Sequence, residues 1–261
     1  MSGTAASQAV RADRFHDGRL TLLQPAGGHR AGLDALLLAA TLQAGQKGAV
    51  ADFGAASGIV GFAAARRCSG ATVACVERDP ALVELANQAL ALPDNAGFAA
   101  RVTAVRCDLA DRAVLRHRAG LKPRSFDHVL TNPPYQDASQ RTSPNPARRA
   151  AHAFAPGDWT AWTRAAADAL RARGSLTAIL RPRNLTDWLD ALGTRFGGAT
   201  VLPLHPREGE AASRILVRAV LGSRADLALL PSRTLHLPDG TWQPWAEAVL
   251  RGDASIDMET V

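Results

Sequence analysis

Tyr135 is the single tyrosine of this chain, and aromatic residues make up only 5% of its 261 positions. Apart from Lys47 and Lys122, every basic side chain is arginine. The cysteines, Cys68, Cys75 and Cys107, are odd in number and lack metal-ligand spacing. They argue against a disulfide framework and a zinc site, and they read as small buried residues. No apolar run is long enough to span a bilayer, since the longest, Leu33 to Leu42, is interrupted by Asp34. The opening MSGTAASQAVRADR has no apolar centre of the kind a secretory signal needs, which leads us to expect a cytoplasmic protein. Hydrophobic content of 47% with 21% charged residues describes a soluble globular chain. The net charge of +6 and pI near 10.2 suit a polyanionic partner. Abundant arginine and alanine also follow from a GC-rich genome, so charge alone does not decide for nucleic acid.

What the chain does have is FDHVLTNPPY, from Phe126 to Tyr135. Phe126, Val129 and Leu130 predict a short buried strand, which must stop at Asn132-Pro133-Pro134 because proline cannot extend a ladder. These residue types suit a neutral planar amine. The Asn132 side-chain oxygen and the Pro133 carbonyl can each accept one N–H of an NH2 group, turning the nitrogen lone pair out of conjugation. Tyr135 offers a flat face to the attached ring. An ordinary Pro-Pro loop closing a strand is the plainer alternative.

Further upstream, AVADFGAASGIVGFAAARR predicts a strand over Ala49 to Phe53, a tight turn over Gly54 to Gly58 with Ser57 as a helix N-cap, and a helix over Ile59 to Arg67. Dinucleotide sites use a similar loop, so a nicotinamide dehydrogenase stays open at this point. ATVACVERDP then gives a second strand closing on Glu77, placed to accept hydrogen bonds from ribose hydroxyls. After a helix over Ala81 to Leu92, RVTAVRCDLAD leads a third strand to Asp108, which can accept an adenine amino proton. Helix N-capping is the alternative for each acid. Two acids at successive strand ends fit a nucleoside-bearing cofactor, and the dehydrogenase reading leaves the Asn-Pro-Pro-Tyr run unexplained.

Taken together, these motifs resemble those of class I S-adenosylmethionine-dependent methyltransferases. The family's acid-x-Gly-x-Gly-x-Gly pattern falls on Asp52, Gly54, Ala56 and Gly58, with alanine standing at the second glycine. The resemblance implies that S-adenosylmethionine is held by Asp52, Gly54, Ala56, Gly58, Glu77, Arg78, Asp108, Leu109 and Asn132. It implies a catalytic motif at Asn132, Pro133, Pro134 and Tyr135. It also implies an α/β, Rossmann-like, seven-stranded methyltransferase sheet with helices on both faces, a last strand that returns antiparallel, and a small N-terminal cap. LTLLQPAGGHRAGLDALLLAA and LHPREGEAASRILVRA, taken with TNPPY, are similar to bacterial tRNA (adenine-N6) methyltransferases over about residues 15 to 250. No metal and no membrane is implied.

The expected organisation is a disordered stretch over 1–14 and a single domain over 15–261. That domain divides into a cap segment over 15–45, a core over 49–221 and a strand-turn-helix extension over 222–261 that packs on the sheet edge. Gly27 and Gly28 precede a helix over AGLDALLLAATLQ, where Arg30 and Asp34 offer polar groups for a carboxylate or for a surface ion pair. Arg141, Arg148 and Arg149 lie in a long polar loop, where they can meet phosphates or merely solvent. A helix is predicted from Trp159 to Arg173, with further strands at GSLTAILRP, Ala199 to Pro203 and Arg214 to Leu221. His205, Arg207 and Arg214 are candidate substrate contacts. The expected activity is methyl transfer to the exocyclic N6 amine of adenine in tRNA. The same chemistry on an rRNA guanine, a DNA adenine or a release-factor glutamine is the first alternative, and a non-catalytic RNA-binding module of this fold is the second.

Overall fold

A computed structural model describes residues 9–26, 32–133 and 158–259. Pro134, Tyr135, Gly27, Gly28, Arg30, Arg141, Arg148 and Arg149 lie outside the described residues, as do residues 1–8. The first described element is a hairpin of β1 (Val10–Phe15) and β2 (Leu20–Pro25), turned through left-handed His16 and Asp17. Pairing therefore begins at Val10, within the stretch expected to be disordered. Leu20 and Leu22 are fully buried, so the hairpin gains a core-facing side. Asn95, itself fully buried, accepts from the Thr21 N–H at 3.0 Å and donates to the Thr21 carbonyl at 2.7 Å. Its amide acts as a stand-in for a strand partner, pinning the hairpin to the body.

The main sheet is built from β3 (Lys47–Phe53), β4 (Gly70–Glu77), β5 (Val102–Arg106), β6 (Phe126–Thr131), β7 (Leu170–Leu180), β8 (Phe196–His205) and β9 (Arg214–Leu221). Two-residue strands, β10 (Ala228–Leu229) and β11 (Arg233–Thr234), pair with β8. The order is β10-β8-β9-β7-β6-β3-β4-β5. β3 to β7 run parallel, and β9 is inserted antiparallel between β7 and β8. This is the expected Rossmann-like methyltransferase architecture with its antiparallel late strand.

Successive residues of the central strands face opposite layers. Val50, Leu130, Ile179 and Leu216 pack with α1 (Leu33–Ala39), α2 (Ile59–Arg67) and part of α3 (Pro80–Leu90). Their neighbours Ala51, Val129, Ala178 and Val217 pack with helices from the second half of the chain. Such strands are buried on both sides, which explains their near-continuous apolar runs. The three cysteines are buried, as expected. Asp79 caps α3 by accepting the Ala81 N–H at 2.8 Å, with Pro80 at the first helical position.

Several boundaries differ from expectation. Short helices α4 (Ala96–Ala99) and α5 (Ala113–Arg118) were not foreseen. The helix beginning near Trp159, α6 (Asp158–Ala169), stops four residues before Arg173 because Leu170 already pairs with Phe126. The carbonyls of Asp168 and Ala169 are taken by the N–H groups of Arg124 and Ser125. α7 (Leu185–Leu192) ends where Gly193 turns left-handed. In the C-terminal extension, β11 does join the sheet edge, but α8 (Pro244–Arg251) packs against α1, burying Ala246 and Val249. Among the described residues no helix is long and apolar enough to cross a membrane.

Candidate active site

β3 and β6 lie side by side although β4 and β5 come between them in the chain, so the connections after β3 and β6 diverge to opposite sides. In an open α/β sheet the crevice beyond the strand ends at such a reversal is where ligands bind. Phe53 is in register with Thr131, and the Thr131 hydroxyl donates to the Phe53 carbonyl at 3.0 Å. The residues that follow, Gly54 and Asn132, therefore leave adjacent strand ends.

The Gly54 to Gly58 turn is fixed from several directions. The N–H groups of Gly54 and Ala55 both donate to the Val76 carbonyl, at 2.9 and 3.0 Å. Gly54 has φ of +70°, and a Cβ there would stand 2.5 Å from Cη2 of Trp162, a residue of α6. Gly58, with φ of +104°, is the N-cap of α2. Ser57 is not the cap: its side chain makes no capping bond and the residue is buried. Ala56 is exposed and left-handed, with φ of +48°. The position where the family pattern has glycine thus keeps the backbone that glycine favours, at a steric cost of about 1 kcal/mol.

Asp52 points inward. It is 1% exposed, and its Oδ2 accepts the Gly61 N–H of α2 at 2.9 Å. Burial raises its pKa to about 7, opposed by the Gly61 bond and helped by the charge of Glu77. The same burial, with Asp52 as the second cause, pushes the Cys75 thiol well up. Asp52 therefore ties the end of β3 to the start of α2 and holds the loop between them in shape.

Glu77 and Asp108 stand at the ends of β4 and just beyond β5, both half-buried. Glu77 Oε2 accepts the Ala56 N–H at 3.0 Å, while Oε1 accepts those of Arg78 and Asp79 at 2.8 and 2.9 Å. Asp108 Oδ1 accepts the Ala110 N–H at 2.9 Å. The Cys107 N–H donates to the Glu77 carbonyl at 2.9 Å, which sets the two acids on neighbouring strand ends. Leu109 is buried and Arg78 exposed. Each carboxylate has more acceptor sites than these bonds use. The set fits a ligand that donates from ribose hydroxyls and an adenine amine: two acids at neighbouring strand ends beside a turn in which Ala56 is exposed and left-handed.

At the end of β6, Asn132 is half-buried and Pro133 buried. Asp52, Gly54, Ala56, Gly58, Glu77, Asp108, Leu109 and Asn132 are thus gathered along one edge of the sheet. His205 and Arg214, at the ends of β8 and β9, share that edge. Arg214 Nε pairs with Asp34 Oδ2 at 2.7 Å, and exposed Arg207 pairs with Glu210 at 3.4 Å. Sequence reasoning did not find Trp162. Its signal was weak, a tryptophan on a helix that packs Trp159, Ala165, Ala166 and Ala169 into the core and lays Trp162 against it.

Residues 30–202 match the family model of the methyltransferase small domain. The chain belongs to that family. Among solved structures, a predicted O-methyltransferase from Agrobacterium tumefaciens is 34% identical, covers 87% of this chain and 100% of its own, and superposes with a TM-score of 0.76. A SAM-dependent O-methyltransferase from Thermotoga maritima is 16% identical, covering 77% of this chain and 69% of its own, with a TM-score of 0.52. The T. thermophilus 16S rRNA N2 G1207 methyltransferase, solved with AdoMet and guanosine, is 20% identical. It covers 82% of this chain and 50% of its own, with a TM-score of 0.56. These last two show that the methyltransferase small domain here has the SAM-dependent methyltransferase fold. No curated protein matches the sequence.

Proposed function

We propose that this methyltransferase uses S-adenosylmethionine to methylate the exocyclic N6 amine of adenine in tRNA. The observation that carries the reading is the register of Phe53 with Thr131, which makes the donor loop and Asn132-Pro133 neighbours. Glu77 accepts from the donor's ribose and Asp108 from its adenine amine, while Gly54 to Gly58 form the floor beside them. S-adenosylmethionine supplies an electrophilic methyl group on a sulfonium. The Asn132 oxygen and the Pro133 carbonyl hold the two N–H groups of the acceptor, direct its lone pair and stabilise positive charge as it grows on nitrogen. The surplus proton leaves to water, and no catalytic base is required. The target base must be unstacked to reach this edge, and Tyr135 gives it a face to lie on.

Adenine and tRNA are favoured by the likeness of LTLLQPAGGHRAGLDALLLAA, TNPPY and LHPREGEAASRILVRA to bacterial tRNA (adenine-N6) methyltransferases. The decisive experiment is mass spectrometry of nucleosides from total tRNA of a deletion strain. N6-methyladenosine should fall, and return with the wild-type gene. An unchanged nucleoside profile would overturn the tRNA assignment. Transfer of labelled methyl groups to rRNA, duplex DNA, a Gly-Gly-Gln peptide and small hydroxyl acceptors would then identify the acceptor.

A further inference from the structure

The proposed donor takes the half of the sheet edge formed by the ends of β3, β4 and β5, from Gly54 to Asp108. Asn132 leaves β6 at the border of that half, so the rest of an acceptor held there has the ends of β7 and β9 to lie against. β7 runs parallel to β6, with Thr131 in register with Ala178, and it closes on the same edge at Leu180. β9 is antiparallel and starts there, at Arg214. The two halves differ in charge. Glu77 and Asp108 present carboxylates on the donor side, whereas the residue that follows β7 is Arg181 and the one that opens β9 is Arg214.

Strand pairing sets these two arginines side by side. Leu180 is in register with Ile215, so Arg181, which stays extended with φ of −80° and ψ of 145°, comes opposite Arg214. Leu180 and Ile215 pack into the layer of α6 and α7, while Ile179 and Leu216 pack into the layer of α1. Alternation along the strands therefore turns Arg181 and Arg214 toward α1. Arg214 bears this out: its Nε donates at 2.7 Å to Oδ2 of Asp34, in the first turn of α1, and its Nη1 donates to the Ser213 carbonyl at 2.8 Å. The Arg181 carbonyl accepts the Asn184 N–H at 2.9 Å, which fixes the turn over Pro182–Asn184 that leads into α7. Both arginines are half-buried, with 21% of the Arg214 side chain exposed.

Resting on the tRNA reading above, we propose that Arg181 and Arg214 bind a phosphate of the target nucleotide while its adenine is held at Asn132. Like charges opposite one another across a strand pair cost stability unless an anion lies between them. Asp34 is one such anion, and a phosphate is a second that this edge can receive. Guanidinium groups match phosphate oxygens with paired, planar hydrogen bonds. One and two strand steps of about 4.8 Å each separate β6 from β7 and from β9, a span that the base and sugar of a single nucleotide bridge. In this direction the phosphate also keeps clear of Glu77 and Asp108. An unstacked nucleotide is thus gripped at both ends, by its amine and by its backbone.

The test is steady-state transfer of labelled methyl groups from saturating S-adenosylmethionine to total tRNA of the deletion strain, over a series of KCl concentrations. Arg181→Gln should raise KM for tRNA by about 10-fold or more and make its logarithmic salt dependence shallower by about one, the signature of one lost phosphate contact. Calorimetric affinity for S-adenosylmethionine should change little. Asp34→Asn should steepen the salt dependence, because the two arginines then face the phosphate without a carboxylate beside them. Thermal melting confirms that each variant is folded, and Arg181→Lys replaces the glutamine variant if that one is not. Lysine keeps the charge but loses the paired donors, so it should still raise KM. An unchanged KM in the Arg181 variant, or a loss of donor affinity as large as the loss for tRNA, would overturn the proposal. So would a salt dependence that Asp34→Asn leaves unchanged or makes shallower. Wild-type protein that leaves this tRNA unlabelled would overturn the tRNA reading and the proposal with it, a result distinct from the others.

Discussion

The Ala56 N–H donates to Glu77 Oε2 at 3.0 Å, joining the donor loop to the acid at the next strand end. The other oxygen of that carboxylate accepts the N–H groups of Arg78 and Asp79. The acid thus shapes the loop, and in the proposed donor site it also faces the ribose. Replacing Glu77 by glutamine turns one acceptor into an NH2 group, and whichever way the amide is oriented a donor meets a backbone N–H. A charge-assisted hydrogen bond contributes about 1.5–3 kcal/mol. Glu77→Gln should therefore weaken S-adenosylmethionine binding by about 10- to 100-fold in calorimetry. Unchanged affinity would place the ribose elsewhere.

Ala56 bears the strain of a left-handed backbone without being glycine. Its side chain is exposed, so no packing is lost when the methyl group goes. Ala56→Gly should stabilise the protein by about 1 kcal/mol, less the extra freedom glycine gives the unfolded chain. For a chain of this size that is about 2–4 °C in melting temperature. Donor affinity should be unchanged or improved. A lower melting temperature would mean that alanine carries a contact at this position.

Much of this was legible because strand ends in a parallel sheet are marked by a change from apolar run to glycine, proline or acid. Phe53-Gly54, Val76-Glu77 and Cys107-Asp108 each carry that mark, and Thr131 is followed by Asn132 and then Pro133; the structure brings all four strand ends to one edge. Boundaries set by tertiary contact were not legible. Nothing local tells Leu170 to leave a helix, since its partner Phe126 is 44 residues away. The β1 strand escaped notice because its residues are mostly exposed, and its partner strand, β2, is itself held by Asn95 far downstream. Trp162 was hidden for the same reason: its meaning lies in Gly54, on another element.

Asn132 is expected to act on turnover and not on donor binding. It follows β6, one strand step from the loop at β3, and in the proposed mechanism its oxygen meets the acceptor amine. Asn132→Ala should lower kcat by about 100-fold or more, the scale seen when one preorganised hydrogen-bonding group at a reacting centre is lost. Calorimetric affinity for S-adenosylmethionine should stay within about threefold. Steady-state kinetics with saturating donor provide the check, and undiminished turnover would show that the amine is held by another group.

Two buried groups give this protein opposing pH dependences over one interval. Asp52 is raised from 3.8 to about 7, mainly by burial. Between those values the native state holds a proton that the unfolded chain has released, so stability falls as pH rises through the window. His16, 2% exposed in the hairpin turn, is lowered from 6.5 to about 4, by burial first and then by Arg66, Arg67 and Arg19. Between those values the unfolded chain holds the extra proton, so stability rises with pH. Each limiting slope is about 1.4 kcal/mol per pH unit, and over roughly pH 4–6.5 the two offset one another. Asp52→Asn keeps an oxygen for the Gly61 N–H but cannot ionise, which leaves the His16 slope unopposed. Asparagine at position 16 tolerates the left-handed backbone and cannot ionise, which leaves the Asp52 slope. Urea midpoints measured from pH 4.5 to 6.5 should thus rise with pH in Asp52→Asn and fall in His16→Asn, relative to wild type. Parallel curves for all three proteins would show that neither group titrates in this interval.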